Sequence, residues 1–229
     1  MQAKLIESFE IAREVRHFVF EVPEAQKFTF VPGQFVSFQE MVGEKKITRA
    51  YSIASAPAET NRFELCLDLV AEGKLSPRLF AMKPGETMEM RPPLGMFVLR
   101  NPPRDTVLIA TGTGIAPFRS ILKAQLHETS QNFTLIFGVR HEGDFLYREE
   151  FQELARKFPH FRFLPTLSRP EEGWAGKTGY VQEHLPEVIG DRRDVDVFLC
   201  GMKAMVDDVR NILKEMGFDR KQILFEKYD

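Results

Sequence analysis

From Lys4 to about Leu99 apolar residues mostly alternate with polar ones. Phe18, Phe20 and Val22 fall on one face of an extended segment, as do Phe63, Leu65, Leu67 and Leu69. A period of two predicts half-buried strands. Val31-Pro32-Gly33-Gln34 and Lys83-Pro84-Gly85-Glu86 punctuate them as turns, and five or six short strands so spaced predict a small antiparallel barrel. After the linker Asn101-Pro102-Pro103-Arg104-Asp105 the period changes. Val107-Leu108-Ile109-Ala110 is a short buried run, followed at helical spacing by Phe118, Ile121, Leu122 and Leu126. The alternation repeats: strands over Phe133–Val139, Phe161–Leu167 and Val195–Cys200, a helix around Phe151, Leu154, Ala155 and Phe158 between the first two, and a closing strand over Gln222–Phe225. The last helix keeps Met202, Met205, Val206, Val209, Ile212, Leu213 and Met216 on one face, with Gly217 as its C-terminal cap. Buried strands alternating with helices predict a doubly wound parallel sheet. The expected fold class is therefore α+β with two domains, an antiparallel β-barrel over residues 1–100 and an α/β domain over residues 101–229.

Composition narrows the class of partner. The 229 residues carry 31 basic and 33 acidic side chains, so no polybasic stripe suggests nucleic acid. No segment approaches the ~18 consecutive apolar residues of a membrane span, and the N-terminal residues lack the apolar core of a signal peptide; a cytoplasmic protein is expected. Cys66 and Cys200 are too few for a disulfide framework or for the four thiolates of an iron–sulfur cluster. The five histidines lack metal-ligand spacing, and no metal is expected. Nothing in the pattern sets an oligomeric state.

Three stretches carry candidate chemistry. Thr111-Gly112-Thr113-Gly114-Ile115-Ala116-Pro117 follows a buried strand and opens a helix, the context in which backbone amides and a helix N-terminus receive a pyrophosphate. Pro117 suits a first helical turn but stands where the standard dinucleotide fingerprint has its third glycine, and the next strand ends in Gly138-Val139-Arg140 rather than in an acid for the ribose. A tight strand–helix turn is the alternative. In Arg49-Ala50-Tyr51-Ser52 a strand puts the guanidinium and the phenol on one face and the serine on the other. Gly73-Lys74-Leu75-Ser76 offers small and hydroxylic residues at the start of a further helix. Cys200-Gly201-Met202 ends a later strand, where open α/β sheets bind ligands, although a lone cysteine also serves as a small buried hydrophobe.

Taken in this order, the motifs resemble those of the ferredoxin–NADP reductase superfamily over essentially the whole chain. The resemblance implies that Arg49 holds the FAD pyrophosphate, Tyr51 stacks on the isoalloxazine, Ser52 bonds near its reactive nitrogen, and Gly73, Lys74, Leu75 and Ser76 line a second FAD-phosphate segment. Pro93-Leu94-Gly95-Met96-Phe97 resembles the stretch that ends the barrel. Thr111, Gly112, Thr113, Gly114, Ile115 and Pro117 are similar to the nicotinamide-side pyrophosphate motif, and Cys200, Gly201 and Met202 to the motif beside the nicotinamide ring. Glu226-Lys227-Tyr228-Asp229 resembles an end at which a carboxylate lies near the flavin and an aromatic ring covers it; here Asp229 follows Tyr228. Ser52, Cys200, Glu226 and Tyr228 are thus the candidate catalytic residues. Ser168, Arg169 and Tyr180, with Lys177 between them in the sequence, resemble the set that binds the 2′-phosphate of NADPH, while a similar pattern also occurs in relatives that accept NADH; Arg140 and His141 either assist or are solvated loop charges.

The family implies hydride transfer between NADPH or NADH and bound FAD, with single electrons exchanged with a separate ferredoxin, flavodoxin, cytochrome or oxygenase component. A reductase of free flavin and a non-catalytic electron-transfer subunit are the alternatives.

Overall fold

The computed structural model describes residues 1–228, which form two compact units, one of Met1–Leu99 with Ala116–Ala124, the other of Arg100–Ile115 with the chain from Gln125 onward. The first unit contains β1 (Gln2–Ala12), β2 (Val15–Glu21), β3 (Phe35–Val42), β4 (Lys45–Ser52), β5 (Arg62–Asp68), the short α1 (Ser76–Ala81) and β6 (Thr87–Leu94). Its sheet has the order β4-β3-β6-β1-β2-β5 with every pairing antiparallel. Ile53, just beyond β4, bridges to Leu65 of β5, so the two edge strands meet and the sheet closes as a barrel. Inside lie Leu5, Phe18, Phe20, Phe38, Phe63 and Leu65, all fully buried. Each contributes about 1.5–3 kcal/mol by leaving water, and the alternation that predicted the strands is the imprint of that burial.

The alternation breaks at β2 and β5, where His17 and Cys66 on the outer face are buried as well. The ring of Phe9 stacks on His17, and α2 (Ala116–Gln125), whose residues 116–124 belong to this unit although they follow a strand of the other, reaches the region through Arg119. Arg119 of α2 donates to the Ala54 carbonyl (3.0 Å) and to Oε2 of Glu64 (2.5 Å), and His17 Nε2 stands 3.8 Å from the same carboxylate. Burial works to raise the Glu64 pKa, but the Arg119 hydrogen bond overrides it and the carboxyl lies below its usual range.

The second unit contains β7 (Thr106–Thr111), a 3-10 turn over Gly112–Ile115, β8 (Phe133–Val139), α3 (Arg148–Lys157), β9 (Phe161–Leu167), β10 (Lys177–Thr178), α4 (Leu185–Ile189), β11 (Asp196–Met202), α5 (Lys203–Glu215) and β12 (Ile223–Tyr228). All pairings in the sheet β10-β9-β8-β7-β11-β12 are parallel. The five residues Thr106–Ala110 of β7 and the first six of β11 are buried without interruption, as strands covered on both faces must be. Helix α5 ends in a Schellman motif: Gly217 takes φ +87°, its amide donates to Lys214 and that of Phe218 to Leu213. The strand order grows outward from β7 in both directions. That reversal places a topological switch point between β7 and β11, and the crevice at the carboxyl ends of such strands is where open α/β sheets bind ligands.

Candidate active site

Along β4 the four residues of the Arg49–Ser52 motif grade from exposed to buried. Arg49 and Ala50 are exposed, Tyr51 is half-buried against Phe38 (ring centroids 6.0 Å apart), and Ser52 is buried. Among the described residues the Arg49 guanidinium is bonded only to the carbonyl of its neighbour Thr48, leaving most of its donors for an anion. Burial, opposed by Arg49 and reinforced by Asp68, pushes the Tyr51 phenol up to about 12, so the ring is neutral at physiological pH. Gly73 and Ser76 close the turn into α1: the Gly73 amide donates to the Val70 carbonyl, and Ser76 Oγ both accepts from the Val70 amide (3.0 Å) and donates to its carbonyl (3.2 Å). The Ser76 hydroxyl is thus committed to the turn. Lys74 is exposed beside it, and Leu75 is buried.

In the second unit two motifs far apart in sequence interlock backbone to backbone. A Cβ built on Gly114 would lie 2.3 Å from the Cys200 carbonyl oxygen and 2.7 Å from Gly201 Cα; one on Gly201, at φ +142°, would lie 2.2 Å from Thr111 Oγ1. Only glycine fits at either position. The Met202 amide donates to Thr111 Oγ1 (3.2 Å), tying the start of α5 to the end of β7. Gly112, in contrast, is exposed at φ +54°, a Cβ there would meet nothing within 4 Å, and Thr113 beside it is half-buried. Ile115 and Pro117 are buried, with Pro117 at the second position of α2, where a missing N–H costs no helical bond.

Beside this interlock, β12 pairs with β11 so that Cys200 faces Glu226 and Met202 faces Tyr228. Asp229, which follows Tyr228, lies outside the described residues. Cys200 is fully buried and unpaired in any disulfide. Burial pushes its thiol well above the usual range and the Glu226 carboxylate pushes it further, against a hydrogen bond with Tyr228. Cys200, Glu226 and Tyr228 therefore form one neutral-thiol cluster at the carboxyl ends of β11 and β12, next to the switch point. Met202 is exposed at its rim.

Ser168 and Arg169 follow β9, and their amides donate to the Val139 and Arg140 carbonyls (both 3.0 Å). Arg140 and Arg169 are thus neighbours at adjacent strand ends, both exposed, and among the described residues no acid pairs with either guanidinium. Tyr180 is exposed, its amide donating to Glu183. Lys177 instead pairs with Glu187 at 2.5 Å. No motif announces the part-buried Arg119–Glu64 pair; its one sequence signal is an arginine set between Phe118 and Ile121 on an apolar helix.

A dinucleotide and a flavin fit these features: a glycine cradle that a single Cβ would fill, exposed unpaired guanidinia for phosphates, and a half-buried ring on β4. Residues 2–99 match the family of oxidoreductase FAD-binding domains and residues 108–211 that of oxidoreductase NAD-binding domains. The chain is 37% identical over 238 residues to ferredoxin–NADP reductase B of Sorangium cellulosum, covering 100% of this chain and 97% of that protein. It is 31% identical over 232 residues to NADH-cytochrome b5 reductase 1 of Aspergillus terreus, covering 94% and 77%. Among solved structures, a ferredoxin NADP+ reductase from Neisseria gonorrhoeae with bound FAD and NADP superposes with a TM-score of 0.85 at 25% identity, covering 99% of this chain and 98% of that one. A fold, a pair of motif sets and a full-length likeness thus coincide, and the chain belongs to the ferredoxin–NADP reductase family of FAD- and NAD(P)-binding oxidoreductases.

Proposed function

We propose that this reductase draws hydride from NADPH in preference to NADH and delivers single electrons to a separate small carrier of the ferredoxin or flavodoxin kind. The observation that carries the reading is the interlock of Gly114 with Cys200–Gly201 at the switch point, with Glu226 and Tyr228 beside it. Bound FAD supplies the exchange between two-electron and one-electron chemistry. The chain's residues bind, orient and shield. In this reading Arg49 and the Gly73–Ser76 turn, through Lys74 and backbone amides, hold the FAD phosphates, and Tyr51 lays its neutral ring along the flavin plane while Ser52 bonds to its edge. Thr111–Ile115 and the first turn of α2 receive the nicotinamide-side pyrophosphate on backbone amides. Cys200 stays protonated, so the thiol is part of the wall of the site rather than a nucleophile. Tyr228 covers the site, and Met202 borders it.

The lean to NADPH is supported by Arg140 and Arg169. Where a standard NAD site places an acid for the ribose, this sheet places two unpaired guanidinia, a fork suited to a 2′-phosphate. Ser168 and Tyr180 complete that set. The acceptor lies outside these 229 residues, whose two cysteines cannot ligate a cluster. A cytoplasmic location is supported by Cys66 and Cys200 both being buried and outside any disulfide; among the described residues no helix is long and apolar enough to cross a membrane. We assign residues 1–100 to FAD and 101–229 to the nicotinamide nucleotide.

The test is colour. Protein that elutes yellow, keeps stoichiometric FAD through dialysis and reduces a one-electron carrier at the expense of NADPH supports the reading; colourless protein that rapidly reduces added flavin overturns it in favour of a free-flavin reductase.

A further inference from the structure

Residues 169–180 carry two of the four proposed 2′-phosphate contacts, Arg169 and Tyr180, yet only Lys177–Thr178 among them lies in a strand. The ends of this loop are tied down. Besides the Ser168 and Arg169 amides, Thr166 Oγ1 donates to the Gly179 carbonyl (2.9 Å) and so accepts from His184 Nε2 (2.9 Å). The middle has one packed side chain, beside the surface ion pairs of Glu171 with His141 and of Lys177 with Glu187. Between 169 and 178 every residue is exposed except Trp174, the sole tryptophan of the chain.

Trp174 is held on three sides. Its Nε1 donates to the Lys177 carbonyl (2.8 Å), and its ring stacks on buried Phe145 (centroids 5.8 Å, planes 28° apart). The Arg148 guanidinium lies 5.0 Å from the Trp174 ring and 5.4 Å from that of Phe145, and Glu142 pairs with it. Gly176 lies beneath the indole, where a Cβ would come within 2.3 Å of the ring. An exposed loop with one packed aromatic anchor loses its order when the anchor goes, and the cost of reordering then falls on ligand binding.

We propose that Trp174 is a positioning residue for the dinucleotide: packed against both Phe145 and Arg148, it keeps Arg169 and Tyr180 ordered before the adenosine end arrives. It thereby sets affinity rather than transfer rate. This rests on the placement of the adenosine 2′-phosphate at Arg169 and Tyr180, and the experiment separates the two ideas.

Adenosine 2′,5′-bisphosphate is titrated calorimetrically into the FAD-loaded wild type, Arg169→Ala, Trp174→Leu and Trp174→Phe, and KM and kcat for NADPH are measured alongside. Trp174→Leu keeps an apolar side chain but loses the ring face, the N–H and much of the volume; it is expected to weaken the bisphosphate and raise the NADPH KM by about tenfold, with kcat changed by less than about twofold. Trp174→Phe restores the stack and most of the affinity. Wild-type affinity in Trp174→Leu with weakened binding in Arg169→Ala overturns the role of Trp174 and leaves the site in place. Undiminished binding in Arg169→Ala overturns the placement and the proposal together. Should Trp174→Leu lose its melting transition, hydrogen exchange in the wild type decides: slow exchange of the Trp174 and Gly179 amides supports an ordered loop, and exchange at the unstructured rate overturns it.

Discussion

The interlock at the switch point makes a demanding prediction for Gly114→Ala. The new Cβ would stand 2.3 Å from the Cys200 carbonyl oxygen and 2.5 Å from its carbon, where ordinary contact begins at 3.4 Å. Both atoms are backbone, so no rotamer change relieves the overlap. The ends of β7 and β11 must part by about 1 Å. Overpacking of this kind costs about 1–3 kcal/mol. At roughly 2–4 °C per kcal/mol for a chain of this size, the melting temperature should fall by several degrees. The functional loss should be larger than the thermal one. A displacement near 1 Å at a reacting geometry costs up to ~10²-fold in rate, so kcat/KM for NADPH should drop by between about tenfold and a hundredfold. FAD content should hold, because the flavin residues belong to the other unit. Gly112→Ala supplies the contrast: nothing lies within 4 Å, and only its left-handed backbone is penalised, by about 1 kcal/mol. Differential scanning calorimetry of the FAD-loaded proteins and steady-state kinetics are the assays. Wild-type melting and wild-type kcat/KM in Gly114→Ala would refute the claim that these two motifs are locked together.

Further outcomes follow from the buried charges. Arg119→Met removes the guanidinium from Glu64, leaving His17 at 3.8 Å, and takes a donor from the Ala54 carbonyl, and should cost about 3 kcal/mol in denaturant unfolding, with part of the loss offset by the partial exposure of Glu64. Because the folded Glu64 pKa is depressed, its stabilisation is present above the unfolded carboxyl pKa and is lost as pH falls through the lower folded value; the variant should lack that acid slope, and an unchanged slope would contradict the pairing. Tyr51 is raised to about 12, so its contribution is complete below the ordinary phenol range near 10 and is lost as pH climbs from there to 12; ultraviolet titration should show one of the four tyrosines ionising late, a phase absent in Tyr51→Phe. The raised Cys200 thiol should resist iodoacetamide at pH 8 in the native protein and react only in denaturant, whereas rapid native alkylation would show an ionised, accessible sulfur.

Much of this fold is legible in the sequence because burial writes its own period into the chain. Phe18–Val22 and Phe63–Leu67 alternate since one face of each strand meets the barrel core, and Thr106–Ala110 does not because both faces of its sheet are covered. The nucleotide motifs are legible through their glycines, which mark positions where backbones touch. What local pattern cannot convey is who covers whom. His17 and Cys66 stand at solvent-side positions of their strands, and nothing in the local period announces that they are buried; Arg119 makes sense only with Glu64 fifty-five residues away. The two-residue β10 and the short α4 carry too few positions for any period to register. Trp174 is silent for a related reason: its stack is assembled from a loop, a strand-end turn and the first residue of α3, and nothing in the local sequence announces that they meet.

Anaerobic stopped-flow reduction of the purified yellow protein is the most direct test of the central claim. Rapid loss of the flavin's visible absorbance with NADPH, slower loss at equal NADH, and collapse of that preference in Arg169→Ala are predicted. Retained flavin that neither nucleotide bleaches would contradict the account and leave a protein that needs a partner before it can turn over.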